Sequence, residues 1–488
     1  MDFFPPTVRK TSRRHRSGDN VARNAFMISS GGQADMRPQR SREENQELKH
    51  VVIVGGGFAG LNCAKKLAKH PNVRVTLIDR NNYHQFQPLL YQVASSALSP
   101  SNTAFNLRRV LREHPNVDVK LTEIVSVDLS TQSATNAEGQ TYQGDFLVLA
   151  AGSQANFFGT PGADKHSYPL YSLRDAEALR SRIIAVLESV DRDPALIEKG
   201  ALNFVIVGAG ATGTEMAGAV GDAFHYSLKK MLSDASVARG QVLLADGGHV
   251  VLHGFSPESQ SYAAKMLEER GVQTRLGTTV KEVGAGHVIL SDGSRIDTHV
   301  VIWAGGLKAS SLSDHLGIQT GKGGRIDVRP DLTVPGFPRV YALGDFANIA
   351  GDDGKPLPQL ASVAEQSGKW CAKNILGDIA GEPRKPFAYF DKGIMAMIGR
   401  NAAVAEMGKH RHELTGSLAF AAWIGVHASL LSSTQAKIEA FMEWAWDYLG
   451  RAHGDAILDR ADESQINWND DEESATSTST MPPDRKSS

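Results

Sequence analysis

The chain has 488 residues, 41% apolar and 22% charged, with a formal net charge of −2. That length supports two or three domains, each with its own core, and the near-neutral charge excludes the basic footprint of a nucleic-acid-binding protein. Two cysteines, Cys63 and Cys371, exclude a disulfide framework or zinc cluster and fit a reducing compartment.

Residues 1–48 are rich in Arg, Ser, Asn, Gln and Gly and include TVRKTSRRHRS, so a disordered basic extension is expected. A solvated tail, or a start placed too early with Met27 or Met36 as the true beginning, is favoured over a targeting segment or an anchor on anionic lipid.

HVVIVGGG is an apolar run of buried-strand length, and LNCAKKLAKH after it has helical spacing, which sets Gly55, Gly57 and Gly60 on a strand-to-helix turn. The first glycine permits the tight turn, the second lets backbone approach a pyrophosphate, and the third lets helix pack on strand. Phosphates then lie at the helix N-terminus, where free N–H groups and the dipole favour negative charge. VRVTLID follows as a second strand ending in Asp79, whose carboxylate can accept bonds from ribose hydroxyls. DFLVLAAGS is a further strand, ending in Gly152.

The pattern returns in NFVIVGAGATGTEMAGAV, with Gly208, Gly210 and Gly213 on the turn, and in QVLLAD, ending in Asp246. Asp246 lies 38 residues past Gly208, against 24 from Gly55 to Asp79, so this crossover has gained a longer helix or loop. THVVIWAGG then ends in Gly305; Gly152 and Gly305 each lie 97 residues after the first glycine of their own motif. Two whole dinucleotide-binding domains are therefore duplicated, which suits an enzyme that holds one dinucleotide permanently and lets a second dock and leave.

RVYALGDFANI is a strand running into Gly344 and Asp345, followed by LPQLASVAEQSGKWCAKNIL, which reads as a helix. Together GGGFAG, LVLAAGS and YALGD resemble the three FAD segments of the flavoprotein disulfide-reductase superfamily, the glutathione-reductase-like fold. The resemblance implies that the first glycine motif holds FAD and the second NAD(P)H. It also implies that Asp345 bonds the ribityl chain and that the next helix points its N-terminus at the isoalloxazine. The expected fold is α/β, with two Rossmann-like domains. Residues 49–157 and 308–382 form a discontinuous FAD domain, 158–307 an NADH domain and 383–460 a C-terminal quinone and membrane-docking region with amphipathic helices. Residues 461–488 form a disordered tail.

No CxxC or CxxxxC occurs, so Cys63 and Cys371 read as inert core thiols and electrons must pass from flavin straight to an external acceptor. This also counts against a sulfide:quinone oxidoreductase. RNNYHQFQPLLYQVASSALSPSNTAFNLRRVL, AGATGTEMAGAV, PLPQLASVAEQSGKWCAKNI and FAYFDKGIMAMIGRNAAVAEM resemble the type II NADH dehydrogenases over roughly residues 50–450. That resemblance implies NADH:quinone oxidoreduction without proton pumping, with tightly bound FAD and a membrane ubiquinone or menaquinone as acceptor. Many members carry two glutamines four apart on the helix after YALGD, taken to line the quinone site; here the positions read Ser362 and Gln366. By the same resemblance Glu215 and Lys392 lie near the flavin and quinone pocket, where a pair between them could supply protons. The alternatives are a helix-face carboxylate and a solvated lysine. Asp246, followed by GGH with no arginine, favours NADH over NADPH because a carboxylate repels a 2′-phosphate. His84 reads as a hydrogen-bonded structural residue rather than a flavin contact, and no metal site is expected.

Leu414 to Ala436 carries no Asp, Glu, Lys or Arg, yet its apolar part, LAFAAWIGVHASLL, is too short to cross a bilayer. In KIEAFMEWAWDYLGR, Ile438, Phe441, Met442, Ala445 and Leu449 share a stripe, with Trp444, Trp446 and Tyr448 placed for a headgroup boundary. An interfacial helix pair on the lipid surface is the reading, against packing of the stripe on the protein's own core or a second subunit. The expected protein is a homodimer peripheral to the cytoplasmic face of the cell inner membrane. Its rivals are an NADH-dependent reductase of a soluble ferredoxin-like carrier and a flavin-binding NADH sensor.

Overall fold

Lys49–Val54 lies inside a mostly parallel sheet, and its last four residues are buried because both faces of the sheet are covered. This computed structural model describes residues 48–228, 232–408, 411–431, 437–444 and 466–468. The expected disorder of 1–47, 461–465 and 469–488 lies outside the described residues. The first sheet runs Val117–Leu121, Val73–Asp79, Lys49–Val54, Phe146–Leu149, Phe337–Ala342 and the edge strand Thr333–Val334. Val51 stands opposite Val75 and Phe146, and Val340 opposite Leu147, so the YALGD strand returns from far along the chain to complete this sheet.

The second sheet is parallel throughout and runs Val272–Leu276, Gln241–Asp246, Asn203–Val207, Val300–Trp303, Tyr168–Pro169. In both sheets the glycine-turn strand sits between the strand ending in the acid and the strand ending in AAG or AGG. Ala211–Asp222 continues into a π-helical turn, Ala223–Ser227, and a short helix, Asp234–Val237, follows; these account for the longer spacing to Asp246. Ser153–Ala155 and Leu307–Ala309 pair antiparallel where the chain passes between the two modules.

Two helix packings fix the rest. A Cβ on Gly368 would lie 2.1 Å from the Ala59 carbonyl oxygen, so only glycine lets the Ala361–Ala380 helix cross the Phe58–Leu67 helix this closely. Cys63 and Cys371 are buried beside each other at this crossing, and burial pushes the Cys371 thiol up. A Cβ on Gly218 would lie 1.9 Å from the Ile398 carbonyl oxygen, which seats the Ala211–Asp222 helix on an antiparallel meander of Gly393–Gly399, Ala402–Met407 and His412–Thr415. The Gly416–Leu430 helix covers that meander and buries Ala419 and Trp423 completely. Among the described residues no helix is long and apolar enough to cross a membrane.

Candidate active site

The two glycine turns are built alike. Gly55 has φ +106° and Gly208 φ +102°, and in each case a Cβ would strike the carbonyl that ends the neighbouring strand, at Ala150 and Ala304. Cβ atoms on Gly60 and Gly213 would each lie 1.8 Å from the carbonyl oxygen of the first glycine. Around Gly57 and Gly210 nothing among the described residues lies within 4 Å of a Cβ, so each cradle is open where a pyrophosphate would approach. Both residues are helix N-caps without a side-chain hydrogen bond, which leaves N–H groups of the first turn to face a ligand.

The acids brace the turns. Gly56 N–H donates to Asp79 Oδ2 at 2.6 Å and Asn81 N–H to its Oδ1 at 2.7 Å; Ala209 N–H donates to Asp246 Oδ2 at 2.7 Å and Gly248 N–H to its Oδ1 at 2.5 Å. Burial raises Asp79 against the pull of these N–H groups. His84 is buried, its Nδ1 lies 3.1 Å from the Gly56 carbonyl, its ring meets Phe58 edge-on, and burial lowers it to about 4. It is a neutral brace for the first cradle.

Gly152, Gly344 and Asp345 converge on that same cradle. Gly344 has φ +60°, and a Cβ there would lie 3.2 Å from the Cβ atoms of Ala59 and Ala364. Asp345 is raised by burial while Ser153 Oγ donates to its Oδ2 at 3.0 Å and Tyr171 O–H at 3.3 Å. The Ala361–Ala380 helix starts just beyond, with no side chain capping its N-terminus. Gly305 stands in the second cradle, 2.8 Å from the position of a Gly208 Cβ. A buried carboxyl presented beside an open glycine turn fits FAD in the first module, and the second, with an acid at its ribose position, fits NADH.

Glu215 is buried, accepts a hydrogen bond from Met397 N–H at 3.2 Å and is pushed up to about 8 by that burial. Trp423 faces the same carboxyl and lowers it somewhat, yet its buried Nε1 reaches hydrogen-bond geometry with no group among the described residues. The expected pair of Glu215 with Lys392 does not form. Lys392 Nζ sits 3.3 Å from Glu365, which Lys369 also contacts, and these two lysines outweigh the burial that would raise the Glu365 carboxyl. Lys392 precedes Met397 by five residues, about 16 Å of extended chain, which is why one side chain cannot serve both places. Gln366 uses both ends of its amide on the backbone of Phe390, at 2.9 and 3.0 Å, and Ser362 Oγ lies 2.9 Å from the Tyr389 hydroxyl. The two positions therefore hold the segment before Lys392 against the helix.

Other residues at the site have no local sequence signal. Trp444 Nε1 donates to Gln92 Oε1 at 2.8 Å, Gln92 Nε2 to the Tyr91 hydroxyl oxygen at 3.0 Å, and Tyr91 O–H to Met397 Sδ at 3.2 Å, a chain ending beside Glu215. Trp444 thus turns into the protein instead of toward a headgroup boundary, because Gln92 is there to receive its N–H. His427 stacks on Trp423 at 4.0 Å and is lowered to about 4 by burial. Tyr171, which reaches Asp345, sits in YPLYS, a segment with no motif to mark it. Outside these contacts Leu418, Ile438, Phe441 and Met442 are more than half exposed; Ala445, Trp446, Tyr448 and Leu449 lie outside the described residues.

Residues 49–368 match the family described as pyridine nucleotide-disulphide oxidoreductase. The type II NADH:quinone oxidoreductase Ndh of Mycobacterium tuberculosis is 36% identical over 440 residues, 87% of this chain and 93% of the relative. The type II NADH:quinone oxidoreductase of Haemophilus influenzae is 27% identical over 416 residues, 78% of this chain and 93% of the relative. In fold, the NDH2 of Plasmodium falciparum solved in complex with NADH superposes with a TM-score of 0.74 at 19% identity, over 83% of this chain and all of that one. With twin cradles, a carboxyl at each, and this likeness along nearly the whole sequence, the chain belongs to the pyridine nucleotide-disulphide oxidoreductase family and, within it, to the type II NADH:quinone oxidoreductases.

Proposed function

We propose that the protein oxidises NADH and reduces a membrane quinone, ubiquinone or menaquinone, without pumping protons. The carrying observation is the glycine turn braced by a carboxylate, built twice on one chain and opening both times on free space. When bound, FAD supplies the redox chemistry, accepting hydride from NADH and giving two electrons to the quinone. The chain's own residues bind, orient and protonate. Residues 49–157 and 308–382 hold FAD, with Asp345 toward its ribityl chain, and residues 158–307 bind NADH, with Asp246 on the adenosine ribose. Quinone reduction consumes two protons, and Glu215, protonated below about 8, holds one under the Gly416–Leu430 helix. Gln366 and Lys392 act by position, fixing the 389–392 segment at the start of the Ala361–Ala380 helix.

The exposed apolar side chains of Leu418, Ile438, Phe441 and Met442 support a lipid-facing surface, which a quinone needs for entry. The protein then works as a peripheral protein on the cytoplasmic face of the inner membrane, and a homodimer completes this reading. The test is to bleach the yellow enzyme with NADH in the absence of air, then add a short-chain ubiquinone, a menaquinone or a ferredoxin. Reoxidation by either quinone is expected; reoxidation by ferredoxin alone refutes the assignment.

A further inference from the structure

Asn156 is fastened on three sides. Its N–H donates to the Gly306 carbonyl at 3.0 Å, its carbonyl accepts from Trp303 Nε1 at 2.8 Å, and its Oδ1 accepts from Phe158 N–H at 2.9 Å. Phe157 then turns inward, 5.6 Å from the Trp303 ring. Phe158 turns outward: it is 66% exposed, with φ +52°. A phenyl ring left in water and a left-handed backbone at a non-glycine residue are both unfavourable. The hydrogen bonds of Asn156 hold the residue in this state.

The ring stands at a definite place. A Cβ on Gly306, whose φ is +139°, would lie 3.3 Å from Phe158 Cζ, so the ring tip rests against the turn that follows Val300–Trp303. That strand neighbours Asn203–Val207, and the crevice between them, where strand order reverses, is where a dinucleotide lies across an open α/β sheet. Asp246 ends the strand on the other side of Asn203–Val207 and takes the adenosine ribose, while Gly210 at the helix N-terminus takes the pyrophosphate. The remaining half of the molecule must cross toward Gly305, Gly306 and Phe158.

We infer that Phe158 is a binding platform for the nicotinamide ring of NADH, held ready by Asn156 in a strained, exposed state that substrate binding covers. The inference rests on NADH occupying the second cradle. It assigns Phe158 to substrate contact, with no part in holding FAD or admitting quinone. The experiment compares Phe158→Ala and Phe158→Tyr with the wild-type holoenzyme, measuring KM for NADH, kcat, KM for quinone, thermal midpoint and competitive inhibition by ADP-ribose, which lacks the nicotinamide. Phe158→Ala should raise KM for NADH about tenfold, with kcat, quinone KM and midpoint unchanged, and Phe158→Tyr should restore it. Inhibition by ADP-ribose should be the same in all three proteins. A KM within twofold of wild type, in an enzyme that NADH still reduces, overturns the inference and leaves the wider functional reading standing. Parallel weakening of NADH and ADP-ribose also overturns it, since Phe158 would then not be reading the nicotinamide ring.

Discussion

Burial alone moves Glu215 from a routine carboxylate to an acid that is protonated at neutral pH, since the Met397 N–H and Trp423 indole recover only part of the lost hydration. This raised pKa has two consequences of definite sign. For stability, the favourable contribution of the protonated form is complete below about 4.5 and is lost progressively as pH rises to about 8, because only the unfolded chain releases the proton in that window. Glu215→Gln should therefore gain thermal midpoint relative to wild type as pH is raised from 5 to 9. For activity, the same variant keeps the hydrogen bond from Met397 N–H but can deliver no proton. Its reoxidation by quinone should fall on the order of 10- to 100-fold, with the limb near pH 8 removed and the rate of bleaching by NADH unchanged. Equal loss in both half-reactions would show that Glu215 only shapes the fold.

At the scale of elements, the first cradle is held by one helix crossing. The Ala361–Ala380 helix contains two glycines with opposite expectations. A Cβ on Gly368 meets the Ala59 carbonyl at 2.1 Å, whereas among the described residues a Cβ on Gly377 meets nothing nearer than Glu382 at 3.8 Å. Gly368→Ala should cost roughly 1–3 kcal/mol of stability and loosen FAD, because Ala59 leads directly into Gly60. Gly377→Ala should stabilise by up to about 1 kcal/mol, since alanine is the better helix former. Denaturant midpoints with FAD fluorescence as a second signal separate the two; equal effects would mean that the crossing does not depend on close backbone approach.

For the whole molecule, the Gly416–Leu430 helix has an inner side that seals Trp423 over Glu215 and an outer side that leaves Leu418 and Val426 exposed. On the proposed function, lipid contact and proton supply meet on opposite sides of one helix. A Leu418→Glu, Phe441→Glu double variant should lose sedimentation with anionic vesicles while keeping its turnover with a soluble short-chain quinone, because neither side chain contributes to the buried chain from Trp444 to Glu215. Undiminished vesicle binding would remove this surface from the function.

Local order in the sequence determined the modules: apolar strand, glycines at fixed offsets, helix, strand and acid are neighbours in the chain, and each step depends on backbone geometry that nearby residues set. Gly55, Gly60, Gly208, Gly213, Asp79 and Asp246 therefore stand where their spacing put them. What surrounds the reacting groups was decided by tertiary structure. Lys392 answers to Glu365 instead of Glu215, Trp444 to Gln92, and Asp345 to Tyr171, partners up to 352 residues apart that no local pattern connects. The physical reason is that dinucleotide binding uses backbone N–H groups, which a short motif can present by itself, whereas proton affinity and side-chain direction depend on burial, and burial is fixed only when distant elements pack together.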